Sequence, residues 1–289
     1  MKIVKVKKTP VNYEDFVKRS AKESDYTMFV TEPTTLVDAD TGDILAIYEE
    51  LPINTDDVLK ALNAIRYDTY QRTGGLKTTS RIFGYSPRIT MRKDFCSSAS
   101  LAAESPKEHQ MICDLGIQIE DFYRNYNPDG YKRHKELSTE KLKPEYRINK
   151  ESVFTSGIIN KNNPLKYHFD TGNFKNVYSC MVVFKKGIEG GFLSLPEYGV
   201  GIELKHNSLL MFDGQSILHG VTPITKVSKD SIRYSVVYYS LQQMWACLTI
   251  DEELARIRNR KTEREKKRHS KNSEQHAAQL RNKARPKKT

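Results

Sequence analysis

The chain has 289 residues, 38% of them apolar and 29% charged, with a net charge of +11 and a pI near 9.3. That supplies one large domain, or a domain with additions, and the basic surplus argues against an enzyme of small acidic metabolites and for a polyanionic partner. Four cysteines with no CxxC pair argue against a disulfide framework or a zinc knuckle. With no apolar run long enough for a signal peptide or a membrane span, they predict a soluble intracellular protein, cytoplasmic or nuclear.

Residues 1–50 hold short β-type runs, "TMFV" and "TTLVDADTGDILAIYEEL", and the Asp and Gly content of "DADTGD" predicts a hairpin turn. "TDDVLKALNAIRYD" reads as a helix capped by Thr55, with Val58, Leu59, Leu62 and Ile65 on one face. A second helix starts at "SPKE", where Ser105 is the expected N-cap, Pro106 opens the first turn and Glu108 closes a capping box. Its apolar face is predicted at Met111, Leu115, Ile119 and Phe122. From about residue 153 the pattern changes to short β runs, among them "SVFTSGII", "VYSCMVVF", "NSLLMFD" and "IRYSVVYYSL", separated by turns rich in Gly, Asn and Pro. Such spacing predicts a barrel or a double-sheet jelly roll. Residues 251–289 carry 14 Lys or Arg against 6 Asp or Glu, so most of the net charge lies there. Leu254 and Ile257 can anchor one or two helical turns, and the rest of this segment has no apolar face to bury.

The chemistry concentrates in "KYHFDTGN". In a strand, residues two apart share a face, so His168 and Asp170 project together. H-x-D alone is a weak signal, but "LLMFDGQSILHGVTPI" adds His219 after a buried strand. Two histidines and one carboxylate form the facial triad of non-haem Fe(II) oxygenases, which keeps coordination positions open for a chelating 2-oxoacid and O₂. Fourteen residues on, Arg233 and Ser235 share a strand face. A guanidinium fork beside a hydroxyl suits the distal carboxylate of 2-oxoglutarate. The remaining histidines (His109, His134, His206, His269 and His276) fall in helical, turn or charged contexts and read as solvated.

Residues 154–241 resemble the oxygenase domain of the TET and base-J-binding-protein (JBP) group. The resemblance rests on H-x-D-x-x-N (His168, Asp170, Asn173), "GGFLSLPEYGV", H-x-x-T-P-I (His219, Thr222, Pro223, Ile224) and R-x-S-V-V-Y-Y (Arg233, Ser235, Tyr238, Tyr239). It implies an α+β protein with a double-stranded β-helix (jelly-roll) core. It also implies Fe(II), 2-oxoglutarate and O₂ as cofactor and cosubstrates, and oxidation of the 5-methyl group of thymine or 5-methylcytosine. By the same resemblance Asn173 contacts the target base and Tyr239 stacks on it. Leu241 stands where animal 5-methylcytosine enzymes have a base-contacting histidine, which favours thymine. DNA is the expected partner, with RNA the alternative, and no membrane. The chain then divides into 1–150, an α+β region that supports the core and can contact DNA, 151–248, the jelly-roll oxygenase, and 249–289, a basic helical or disordered tail. In "TSRIFGYSPRITMRKDFCSSASL", Arg81, Arg88, Arg92 and Lys93 interleave with Phe83, Tyr85 and Phe95. This reads either as a nucleic-acid groove or as a solvated basic face over core aromatics. Two rivals stay open: a 2-oxoglutarate-dependent protein hydroxylase of prolyl type, and a non-catalytic nucleic-acid-binding protein.

Overall fold

A computed structural model describes residues 1–71, 77–88 and 94–283. Eight strands form the core: β1 Ser156–Lys161, β2 Leu165–His168, β3 Ser179–Lys186, β4 Leu193–Leu195, β5 Val200–Ile202, β6 Ser208–Phe212, β7 His219–Val221 and β8 Ile232–Tyr239. They lie in two facing sheets, β6-β3-β8-β1 and β5-β4-β7-β2, which is the double-stranded β-helix.

The larger sheet is covered on both faces, so its strands read as unbroken apolar runs. The period of two then sorts them. Cys180, Val182 and Phe184 of β3, with Leu209 and Met211 of β6, face the helices Asp56–Ala64 and Pro106–Tyr126. Met181, Val183, Leu210 and Phe212 face the smaller sheet. On β8, Tyr234, Val236 and Tyr238 join the helix side, which turns Arg233, Ser235, Val237 and Tyr239 into the jelly roll. Gly157 on β1 has a packing reason to lack a side chain. A Cβ there would come 2.0 Å from the Phe83 ring, which is itself fully buried.

The N-terminal residues extend these sheets at their edges. The hairpin of Thr34–Asp38 and Ile44–Glu50 adds to β6 with Leu210 opposite Tyr48. Its turn is where "DADTGD" predicts it: Asp38 Oδ1 accepts from the Asp40 and Thr41 amides, and Gly42 takes φ +81°. Strand Lys77–Ser86 pairs with β1 on the opposite edge, and Met28–Val30 extends the smaller sheet beside β5.

Several expectations are corrected. Thr55 does not cap the Asp56–Ala64 helix; its hydroxyl donates to Asn207 Oδ1 at 2.8 Å, tying the helix to the turn before β6. Ser105 likewise makes no side-chain cap. The buried face of Pro106–Tyr126 is Ile112, Cys113, Leu115, Ile119 and Tyr123, with Met111 and Phe122 only half-buried at its margin. A third helix, Pro128–Lys141, follows with Asn127 accepting from the Gly130 amide. The cysteines argue against a disulfide framework, yet Cys96 and Cys247, 151 residues apart, form one disulfide. Cys113 and Cys180 are free and buried. Among the described residues no helix is long and apolar enough to cross a membrane.

His134, expected in solvent, is fully buried, with Nε2 2.8 Å from Ser240 Oγ. The Ser240 hydroxyl donates to the Val153 carbonyl, so His134 Nε2–H is the donor to Ser240. His109 is half-buried and accepts from the Gly84 amide at 3.1 Å. Burial pushes the His134 pKa down to about 3. A histidine unfolded near 6.5 and folded near 3 leaves stability intact above pH 6.5 and removes it as the pH falls towards 3. The expected contribution is about 1.4 kcal/mol lost per pH unit within that window. His134→Gln should flatten the acid limb of a urea-denaturation series between pH 6.5 and pH 4 relative to the parent; parallel limbs would show that His134 does not set it.

Candidate active site

The antiparallel pairing of β7 with β2 places His219 directly opposite His168. The two rings lie 4.4 Å apart between centroids. Asp170 follows β2 by two residues, and its amide donates to the Gly214 carbonyl at 2.8 Å, which holds its carboxylate against both rings. His168 Nε2 is 3.5 Å from Asp170 Oδ1 and His219 Nε2 is 3.9 Å from Oδ2. One donor atom from each of the three falls within 4.8 Å of the others.

The second nitrogens are also used. His168 Nδ1 is 2.7 Å from the Lys166 carbonyl and His219 Nδ1 is 2.9 Å from the Ile217 carbonyl. A carbonyl only accepts, so Nδ1–H donates in both rings and Nε2 is the nitrogen that faces Asp170. Burial pushes the His219 pKa down to about 4, outweighing the pull of Asp170, so the ring is neutral at physiological pH and fit to ligate. Gly214 leaves room for the carboxylate, since a Cβ there would meet Asp170 Oδ2 at 2.4 Å. Two imidazoles and one carboxylate, the rings oriented by backbone carbonyls, fit a divalent iron with open positions.

Arg233 supplies the second test of fit. It is 1% exposed, and its Nε and Nη2 have no hydrogen-bond partner. Burial lowers its pKa to about 10, which leaves it cationic at neutral pH. An unpaired buried guanidinium costs several kcal/mol, and a carboxylate is the group that removes the cost. Gly191, at φ +69°, lets the chain pass the guanidinium, because a Cβ there would lie 3.2 Å from Nε. Ser235, 3% exposed, lies two residues along the same strand face.

The triad and Ser235 line a cavity of about 240 Å³ together with Asn173, Tyr239 and Leu241. Asn173 is 8% exposed; its amide donates to Ser179 Oγ at 3.1 Å, and its backbone bridges to Leu241. Three further polar lining residues, Asn160, Thr171 and Ser179, have no separate signal in the sequence. Asn160 reaches the cavity because β1 pairs with β8 and sets it opposite Ser235.

Of the four basic residues named in the N-terminal stretch, the two among the described residues are engaged by carboxylates. Arg81 is 4% exposed and pairs with Asp68 and Glu104, so it offers no cation to a phosphate. Arg88 is half-buried against Glu253. Arg92 and Lys93 lie outside the described residues.

A family model, Tet_JBP, the oxygenase domain of the 2OGFeDO superfamily, matches residues 85–242, more than half of the chain. The protein is therefore an enzyme of the 2-oxoglutarate- and Fe(II)-dependent dioxygenase class, using Fe(II), 2-oxoglutarate and O₂. Within that class the chain belongs to the Tet_JBP family. The bifunctional helicase and thymine dioxygenase JBP2 of Trypanosoma brucei brucei is 28% identical over 141 residues, 49% of this chain and 12% of that protein, so the chain spans a small part of its relative. Among solved structures, NgTET1 in complex with 5mC DNA aligns at TM-score 0.54 and 15% identity, over 76% of this chain and 84% of that one, a likeness of fold. The viral collagen prolyl hydroxylase vCPH of Paramecium Bursaria Chlorella virus-1 aligns at TM-score 0.37 and 14% identity, over 68% and 96% of the two chains, too distant to carry an argument.

Replacing Arg233 by Met removes an unpaired buried charge along with the anion fork. The ligand-free protein should melt no lower than the parent, while anaerobic titration should show 2-oxoglutarate binding weakened by about 1.5–3 kcal/mol. An unchanged affinity would show that Arg233 serves another anion.

Proposed function

We propose that the protein hydroxylates the 5-methyl group of a pyrimidine base in DNA, with thymine preferred to 5-methylcytosine. The observation that carries this reading is the sharing of one cavity by His168, Asp170, His219, Asn173, Tyr239 and Leu241. The thymine dioxygenase among its relatives and the 5mC DNA complex among its structural neighbours support the same substrate class. In this reading His168, Asp170 and His219 hold Fe(II), and Arg233 with Ser235 binds the distal carboxylate of 2-oxoglutarate. When bound, this set supplies the oxidising equivalents from O₂ as 2-oxoglutarate is converted to succinate and CO₂.

The remaining residues select the substrate. A cavity inside a jelly roll cannot reach a methyl group within a stacked duplex, so the base enters flipped or from a single strand. Asn173, held by Ser179, hydrogen-bonds the base edge, and Tyr239 stacks on its face. Leu241 presents an apolar wall at the position where a histidine would offer a polar contact. In a protein hydroxylase of prolyl type Asn173 and Tyr239 would have no base to read. The phosphates supply affinity without sequence information, and the cavity supplies the selection.

Incubation with Fe(II), 2-oxoglutarate and DNA with or without 5-methylcytosine, followed by mass spectrometry of the nucleosides, tests the assignment directly. His219→Ala should abolish base oxidation. Asn173→Ala and Tyr239→Ala should each reduce base oxidation by about 10-fold or more, a stacking contact being worth roughly 1–3 kcal/mol. Succinate formation without DNA should persist in both. Equal loss of the two activities would instead mean damage to the fold. Leu241→His should raise the yield from 5-methylcytosine relative to thymine; an unchanged ratio would remove Leu241 from base selection.

A further inference from the structure

The C-terminal helix Ile250–Lys283 takes no part in the cavity, yet it holds the densest charge in the molecule. Between residues 258 and 271 there are eight Lys or Arg and two Glu, and no Ala, Val, Leu, Ile, Met, Phe, Tyr or Trp. Fourteen helical residues rise about 21 Å, so a surplus of six charges lies along that length. The side chains from Arg258 to Arg268 and Lys271 are exposed. Among the described residues, Arg264, Lys266, Lys267, Arg268 and Lys271 make no ion pair, whereas Arg256 and Arg260 are taken up by Asp94.

This stretch is not arranged for its own stability. Arg260 and Arg264, Arg264 and Arg268, and Lys267 and Lys271 are like-charged pairs four residues apart, each destabilising by a few tenths of a kcal/mol. Glu263 and Glu265 offset only part of that. A helix polar on every side gains nothing by packing against the domain.

Its base, by contrast, is fixed. Glu253 is 1% exposed and accepts from Arg88, from the Leu248 amide at 3.1 Å and from the Cys96 amide at 3.4 Å. The Cys96–Cys247 disulfide lies three residues before the helix, and Arg256 donates to the Asp94 carbonyl at 2.7 Å. Leu241, on the cavity wall, is joined to this anchor by a short connector whose Met244 and Cys247 are buried. The helix is therefore held at its root, which follows the cavity-lining Leu241 by nine residues, and its side chains from Arg258 onward to Lys271 are exposed.

We propose that residues 258–271 form a phosphate-binding arm that grips the backbone of a nucleic-acid duplex flanking the base in the cavity. The proposal rests on the reading of DNA as substrate and adds the surface that holds it. A helix that lies on a membrane needs an apolar face with Leu, Phe or Trp, and this stretch has none. A polyphosphate backbone requires only cations. Tethering the arm near the cavity raises the local concentration of duplex there without adding any base preference.

The test uses the full chain with Arg264→Gln, Lys266→Gln, Lys267→Gln, Arg268→Gln and Lys271→Gln combined, measured without Fe(II) or 2-oxoglutarate. If each cation meets one phosphate, the log–log salt slope of duplex DNA binding should become shallower by about 4.5 units. Binding at low salt should weaken roughly tenfold or more for unrelated sequences alike. The affinity for 2-oxoglutarate, read separately, should be unchanged, because no substituted residue lines the cavity. A parallel loss on duplex RNA assigns the arm to phosphate in general, and a loss on DNA alone assigns it to DNA. An unchanged slope on both duplexes overturns the proposal, as does loss of binding only to vesicles containing phosphatidylserine. Because turnover is not measured, a failure to oxidise bases would leave the salt-slope result standing.

Discussion

In an antiparallel pair, a slip of one residue turns every side chain of a strand to the other face. The register that sets His219 opposite His168 is therefore the constraint on which the site depends. It brings two imidazoles to one side of the smaller sheet, and each ring is locked by its Nδ1 to the carbonyl two residues earlier. Asp170 lies two residues beyond the end of β2. Its place comes from the Gly214 carbonyl, and Gly214 can approach so closely only because it lacks a Cβ.

The larger sheet answers this arrangement from the opposite side. On β8 one face is tyrosine and valine packed against helices, and the other carries Arg233 and Ser235. Two guanidinium nitrogens without partners in a buried position break the usual accounting for polar groups. Proteins violate such rules mainly where they bind something. The sheet can bear the cost because its helix-facing side is densely packed, with Tyr238 fully buried between Phe83 and Phe154.

The N-terminal region is tied into this core. Its strands add to both sheets, and its ion pairs, Arg81 with Asp68 and Glu104 and Arg88 with Glu253, fasten edges and the root of the basic helix. Cations that look available in a sequence are consumed by carboxylates from distant segments. Among the described residues, the C-terminal helix keeps cations that no carboxylate takes up, Arg264, Lys266, Lys267, Arg268 and Lys271.

The sequence by itself determined what is local or periodic. Alternation over "SCMVVF" and "IRYSVVYY" marks strands buried on both faces, and the spacing of H-x-D, His and R-x-S marks the donor set, because side chains two apart share a strand face. The turn at "DADTGD" is legible for the same reason, since Asp and Gly act on their own backbone. What only the tertiary structure decided depends on contacts across long separations. Nothing near His134 announces that Ser240 and Phe154 will enclose it, and nothing near Arg81 announces Glu104. Cys96 and Cys247 meet across 151 residues because the cavity's connector packs against a loop from the N-terminal region. Ser179, which steadies Asn173, is an ordinary strand residue until folding brings it there. Periodicity reports which face a residue takes, and only the folded chain supplies what waits on that face.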